Sequence, residues 1–152
     1  MFNGCESLTS APDLPATTLA SNCYNSMFNR CTSLTSAPEL PATTLADRCY
    51  NSMFFKCTSL TTAPELPATT LAAWCYASML NGCTNLNTIK LGYNGIFADA
   101  PSNAFRGWVS GVASTGTFYY NGSDTTRGTS AIPQGWTVLP IPIQRPELCF
   151  TA

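Results

Sequence analysis

Apolar residues recur in two alternating patterns through the first half of the chain. Between Thr44 and Cys57 they fall at Leu45, Ala46, Cys49, Tyr50, Met53, Phe54 and Cys57. That spacing reads as one apolar stripe of an α-helix. Thr44 takes the N-cap position, with Asp47 three residues on. Lys56 falls in the last turn, where a cation suits the helix dipole. The second pattern is Leu34-Thr35-Ser36-Ala37-Pro38-Glu39-Leu40-Pro41. Its two prolines exclude a helix, and Leu34, Ala37 and Leu40 are the expected inward residues of a short extended segment. Pro38 and Pro41 lack an amide donor, so they are expected where a ladder ends.

Both patterns belong to one repeating unit. Its copies begin at Met1, Met27, Met53 and Met79, and the second and third are identical at 20 of 26 positions. Gly4, Arg30, Lys56 and Gly82 share one repeat position, a plausible helix ending. A period of this length marks stacked units that bury their apolar faces against each other. The expected fold class is therefore α/β: a leucine-rich-repeat-like solenoid of short parallel strands and short helices, with a C-terminal α+β cap.

The repeat decays after Cys83. Thr84 to Leu91 supplies a last strand, Asn94-Gly95 a turn, and Pro101 to Val112 a short helix. Gly116 to Tyr120 reads as a strand. Ile132-Pro133-Gln134-Gly135 reads as a turn before a strand over Trp136 to Leu139. The expected organisation is a repeat region over 1–93, a cap over 94–139 and an extended proline-rich tail over 140–152.

The repeated residues carry a resemblance. Leu34-x-x-Ala37-Pro38-x-Leu40-Pro41, followed by Met53-Phe54-x-x-Cys57-Thr58-Ser59-Leu60, resembles the BspA-type leucine-rich repeat family over about residues 1–93. The unit here is longer than that family's usual one, and Ala-Pro replaces bulkier strand residues. The resemblance implies a bacterial cell-surface or secreted protein that binds host or partner macromolecules. The stretches Trp108-Val109-x-Gly111, Gly116-Thr117-Phe118 and Ile132-Pro133-x-Gly135-Trp136-Thr137-Val138 are similar to tails that follow such repeats in gut bacterial and phage proteins.

Composition narrows the function. Only 10% of residues are charged and the net charge is −1, with no basic run, so no nucleic-acid partner is expected. No apolar stretch approaches the roughly 20 residues of a membrane helix, so no membrane span is expected. No signal peptide precedes Met1, which stands where Met27 and Met53 stand inside a repeat. Further repeats N-terminal to Met1 are the expectation. The chain has no histidine, which removes Ser-His-Asp and Cys-His catalysis and the commonest metal ligand. No phosphate-binding loop is visible. An enzyme is not expected, and neither a catalytic residue, a cofactor nor a metal site is assigned.

Eight cysteines fall in two ladders, Cys5/Cys31/Cys57/Cys83 and Cys23/Cys49/Cys75, with Cys149 apart. Buried free thiols acting as small core residues are the favoured reading. Cross-repeat disulfides and a metal site are its alternatives. Asp13, Glu39 and Glu65 share a repeat position and read as a solvated acidic stripe, with calcium binding as the alternative. Tyr24, Tyr50 and Tyr76 read as core residues rather than an exposed row for sugar stacking. The positions that differ between copies, among them Asp47-Arg48, Ala73-Trp74 and Phe55-Lys56, are expected in solvent. Trp74 and Phe55 are then exposed aromatics and candidate contacts. Arg48, Asp13, Glu39 and Glu65 complete the set. The expected function is a recognition or adhesion module for a protein or glycan. A structural spacer or phage-encoded virion component is the alternative.

Overall fold

The computed structural model describes residues 1–143. It corrects the expected fold class. No α-helix occurs among these residues, and the one helical element is a 3-10 turn at Phe97–Asp99. The regular strands are β1 (Thr88–Leu91), β2 (Thr117–Tyr120) and β3 (Thr137–Leu139), paired in parallel in the order β1-β2-β3. The rest is turn and irregular chain. An α/β leucine-rich-repeat solenoid built of strands and helices is therefore not what this chain forms. The α+β cap loses its helix over 101–112 as well, since that segment is a run of turns.

The segments expected to be helical are chains of turns closed every four residues. Asn22, Ser26 and Arg30 have φ values of 62°, 58° and 61°, and Arg48, Ser52 and Lys56 have 55°, 54° and 59°. An α-helix cannot pass through such left-handed residues. Hydrogen bonding follows the same alternation. Cys23, Asn25, Met27, Asn29 and Cys31 donate their amides to the carbonyls three residues earlier, at 3.0–3.2 Å. The intervening amides point to the next repeat. Asn22 donates to Asp47, Tyr24 to Cys49, Ser26 to Asn51, Phe28 to Met53 and Arg30 to Phe55, at 2.7–3.0 Å. Every main-chain donor from residue 22 to 31 thus finds an acceptor without a helix.

The next layers repeat the scheme. Arg48, Tyr50, Ser52, Phe54 and Lys56 donate to Ala73, Cys75, Ala77, Met79 and Asn81, and Trp74, Tyr76, Ser78, Leu80 and Gly82 donate in turn to Ser102, Ala104, Arg106, Trp108 and Ser110. The proline-containing half of each unit holds only isolated parallel bridges, such as Ser10–Ser36, Thr44–Thr70 and Thr62–Thr88. Prolines there remove the donors a continuous ladder needs.

Stacking the copies lines like side chains up into columns. Phe2, Phe28 and Phe54 stack with ring centroids 5.5 and 5.6 Å apart. Tyr24, Tyr50 and Tyr76 do so at 6.2 and 6.0 Å. The Tyr column ends against Phe105 and Trp108, which with Phe97, Phe118 and Tyr120 form an aromatic cluster. Trp108 donates its indole N–H to Ala131 O at 2.9 Å, and Trp136 donates to Ala113 O at 2.7 Å. The expected strands over 116–120 and 136–139 correspond to β2 and β3, whereas the one expected over 84–91 is shortened to β1 at Thr88–Leu91; β1 pairs directly with β2. The tail from residue 144 lies outside the described residues.

Candidate functional site

The cysteine columns are structural. Among the described residues all seven cysteines are free; Cys31, Cys49, Cys57, Cys75 and Cys83 are buried, while Cys5 and Cys23 are exposed. The thiols of Cys31, Cys57 and Cys83 donate to the carbonyls of Phe2, Phe28 and Phe54 at 3.1, 3.1 and 3.0 Å. Burial pushes the Cys49 and Cys83 thiols up to about 12 and that of Cys75 to about 11. Burial also raises Cys57. Such thiols stay protonated and unreactive at neutral pH. Cys149 lies outside the described residues.

The acidic candidates sit on the proline-containing half of the repeats, all exposed. Asp13 and Glu39 line a shallow groove of about 600 Å³ with Leu14, Pro38 and Pro41, and Glu39 and Glu65 line another of about 380 Å³. Glu65 is ion-paired with Lys90 at 3.2 Å. No group of three His, Cys, Asp or Glu among the described residues is arranged to hold a metal ion.

The turn half brings the remaining candidates together. Trp74 is half-buried and lies under two guanidinium groups. Arg48, one layer before it, sits 5.4 Å from its ring centroid, and Arg106, one layer after, sits 5.7 Å away. Phe55 is likewise half-buried, with Arg30 at 5.8 Å and Lys56 at 5.4 Å over its ring. Arg30, Arg48, Lys56 and Arg106 are exposed. The one ion pair among the described residues is Lys90–Glu65, so none of these four cations meets a carboxylate. Asp47, the nearest acidic neighbour in sequence, instead accepts the Ala73 amide at 3.2 Å. Residue variation between copies marked Arg30, Arg48, Phe55, Lys56 and Trp74 as exposed positions, with Arg48, Phe55 and Trp74 as candidate contacts; it did not point to Arg106, which completes the first cluster. Arg106 lies outside the repeats, so no comparison of copies could reach it.

Positive φ recurs through the turn ladder, at Ser26, Ser52 and Ser78 as well as at Arg30, Arg48, Lys56 and Trp74 of the two clusters. Arg48 and Trp74 hold the repeat position that Asn22 holds in the first copy, with φ of 55° and 60°. Asn tolerates that conformation, but a bulky aromatic there is an outlier costing about 1–3 kcal/mol.

No protein-family model, no curated protein and no solved structure matches the chain. No helix among the described residues is long and apolar enough to cross a membrane.

Proposed function

We propose that the chain is a recognition module of a bacterial surface or secreted protein and binds a protein or glycan through its turn half. The observation that carries this reading is the Arg48–Trp74–Arg106 cluster. Two exposed guanidinium groups are held there over a half-buried indole, and Arg48 and Trp74 sit on left-handed backbone where Asn22 shows that a small residue serves the fold. Bulky side chains kept on such backbone, beside exposed cations, support a binding role. The resemblance to BspA-type repeats supports the surface location.

Binding of the folded chain to arrays of host proteins and glycans tests the proposal. Specific binding that is lost in Trp74→Asn, with the thermal midpoint unchanged or raised, supports recognition. Uniform silence favours a structural spacer.

We further propose that another repeat packs against the first copy. The carbonyls of Ser21, Cys23 and Asn25 accept no hydrogen bond among the described residues, whereas their counterparts Asp47, Cys49 and Asn51 accept from the preceding layer. The half-buried Phe2 and Tyr24 end their columns on that same side.

A further inference from the structure

Resting on the recognition reading, we propose that the partner of the turn half is a polyanionic polysaccharide, bearing sulfate or carboxylate groups. Arg48 and Arg106 would bind its anions, Arg30 and Lys56 would extend the contact, and Trp74 and Phe55 would serve as posts that hold the cations in place.

Charge comes first. Four of the chain's seven basic residues gather on the turn half, and none of the four is ion-paired; the carboxylate beside Arg48, Asp47, is engaged by the Ala73 amide. Three exposed carboxylates, Asp13, Glu39 and Glu65, lie on the proline half, against Asp47 on the turn half. Cations held over rings lose less side-chain freedom on binding than free ones, and a guanidinium keeps its N–H fork available for sulfate or carboxylate.

The rings themselves are not free. Arg48 and Arg106 come from the layers on either side of Trp74 and cover its ring at 5.4 and 5.7 Å. Trp74 is therefore unsuited to stacking on a neutral sugar or a nucleobase, both of which need an open ring face.

A peptide is disfavoured by the backbone. Amides along 48–56 already donate to the next layer or within their own turn, so this side offers no unpaired strand edge for β-augmentation. The apolar side chains Cys49, Tyr50, Met53 and Phe54 are fully turned inward, so the layer that carries Arg48 and Lys56 offers a peptide no apolar side chains to pack on. A linear chain of spaced anions fits what remains. Arg48 and Arg106 are two layers apart, roughly 10 Å at ordinary strand spacing. That is on the scale of charged groups carried by alternate sugars.

The test measures binding of the whole chain to dextran sulfate, neutral dextran and poly-glutamate by calorimetry, at low and at physiological salt. The expected result is binding to dextran sulfate that weakens about tenfold with added salt and is absent for neutral dextran. The double variant Arg48→Asn, Arg106→Gln is expected to lose at least tenfold. Trp74→Asn, which uses the residue of the first copy, is expected to lose part of the affinity while keeping the thermal midpoint. Lys90→Gln, on the proline half, is expected to bind as the parent does. Equal or tighter binding of poly-glutamate would overturn the proposal in favour of an acidic peptide. Binding unaffected by the double variant, or no binding to dextran sulfate, would also overturn it. Capture of a neutral glycan or a protein on the arrays, lost in Trp74→Asn, would sink the anionic partner alone and leave the recognition reading standing.

Discussion

The Cys57 thiol donates a hydrogen bond to the carbonyl oxygen of Phe28, in the preceding repeat, at 3.1 Å. That oxygen already accepts the Cys31 amide at 3.0 Å. The thiol therefore ties two layers together at a fully buried point. Cys57→Ala removes the tie and leaves a small void. It is expected to cost about 1–3 kcal/mol, read as a lower urea midpoint at unchanged slope. Cys23→Ala, at an exposed position, is expected to change stability by less than about 0.5 kcal/mol.

Buried hydroxyls give a pair of opposite signs. The Tyr76 hydroxyl is buried and has no hydrogen-bond partner. Tyr76→Phe removes an unsatisfied group and is expected to raise stability by about 1 kcal/mol. Tyr120 donates its hydroxyl to Gly95 O at 2.6 Å. Tyr120→Phe orphans nothing but the carbonyl and is expected to lower stability by about 1 kcal/mol. Thermal denaturation of the two variants beside the parent decides both signs.

Turn chemistry gives another such pair at one repeat position. Gly82 has φ +80°, and an added Cβ would meet the Lys56 Cγ at 2.8 Å. Gly82→Ala is expected to cost about 1–2 kcal/mol. Lys56 holds the equivalent place with φ 59°. Lys56→Gly relieves that strain but frees the unfolded chain, for a net gain of up to about 1 kcal/mol. Both are read from denaturant midpoints.

Much of this structure was legible in the chain and part was not. The register was legible, because Phe28 and Phe54, or Cys31 and Cys57, could only recur to meet one another. The strands at 117–120 and 137–139 followed from their β-branched and aromatic residues. The turn ladder was misread as a helix because Leu45, Cys49, Met53 and Cys57 satisfy a helical template over short spans. The discriminating signal was the strict spacing of four. A true helix advances 3.6 residues per turn, so a four-residue stripe drifts by roughly 120° over twelve residues. Gly4, Asn22 and Gly82, residues suited to positive φ, marked the turns. Arg48 and Trp74 at the repeat position of Asn22 hid that mark, and they belong to the candidate site.

Thiol chemistry supplies a pH dependence. The folded state holds the Cys75 thiol at about 11 and those of Cys49 and Cys83 at about 12, because burial disfavours the thiolate. Unfolded thiols ionise near about 8.5. The unfolded chain therefore binds fewer protons than the folded one above that pH, and stability falls as pH rises. Urea midpoints are expected to be flat with respect to these groups from pH 6 to about 8 and to drop progressively from about 8.5 to 11. At pH 8, a thiol reagent applied to Cys149→Ser is expected to modify Cys5 and Cys23 quickly. The five buried cysteines should react only on unfolding.

The hydrogen bond of the Tyr50 amide tests the account most directly. A helix over 44–57 would send it to Ala46 O, four residues back. In the turn ladder it goes to Cys75 O at 3.1 Å. Through-hydrogen-bond scalar coupling in an isotope-labelled sample reads the acceptor without ambiguity. A cross-peak from the Tyr50 amide nitrogen to the Cys75 carbonyl carbon is the predicted result. A cross-peak to Ala46 would contradict it.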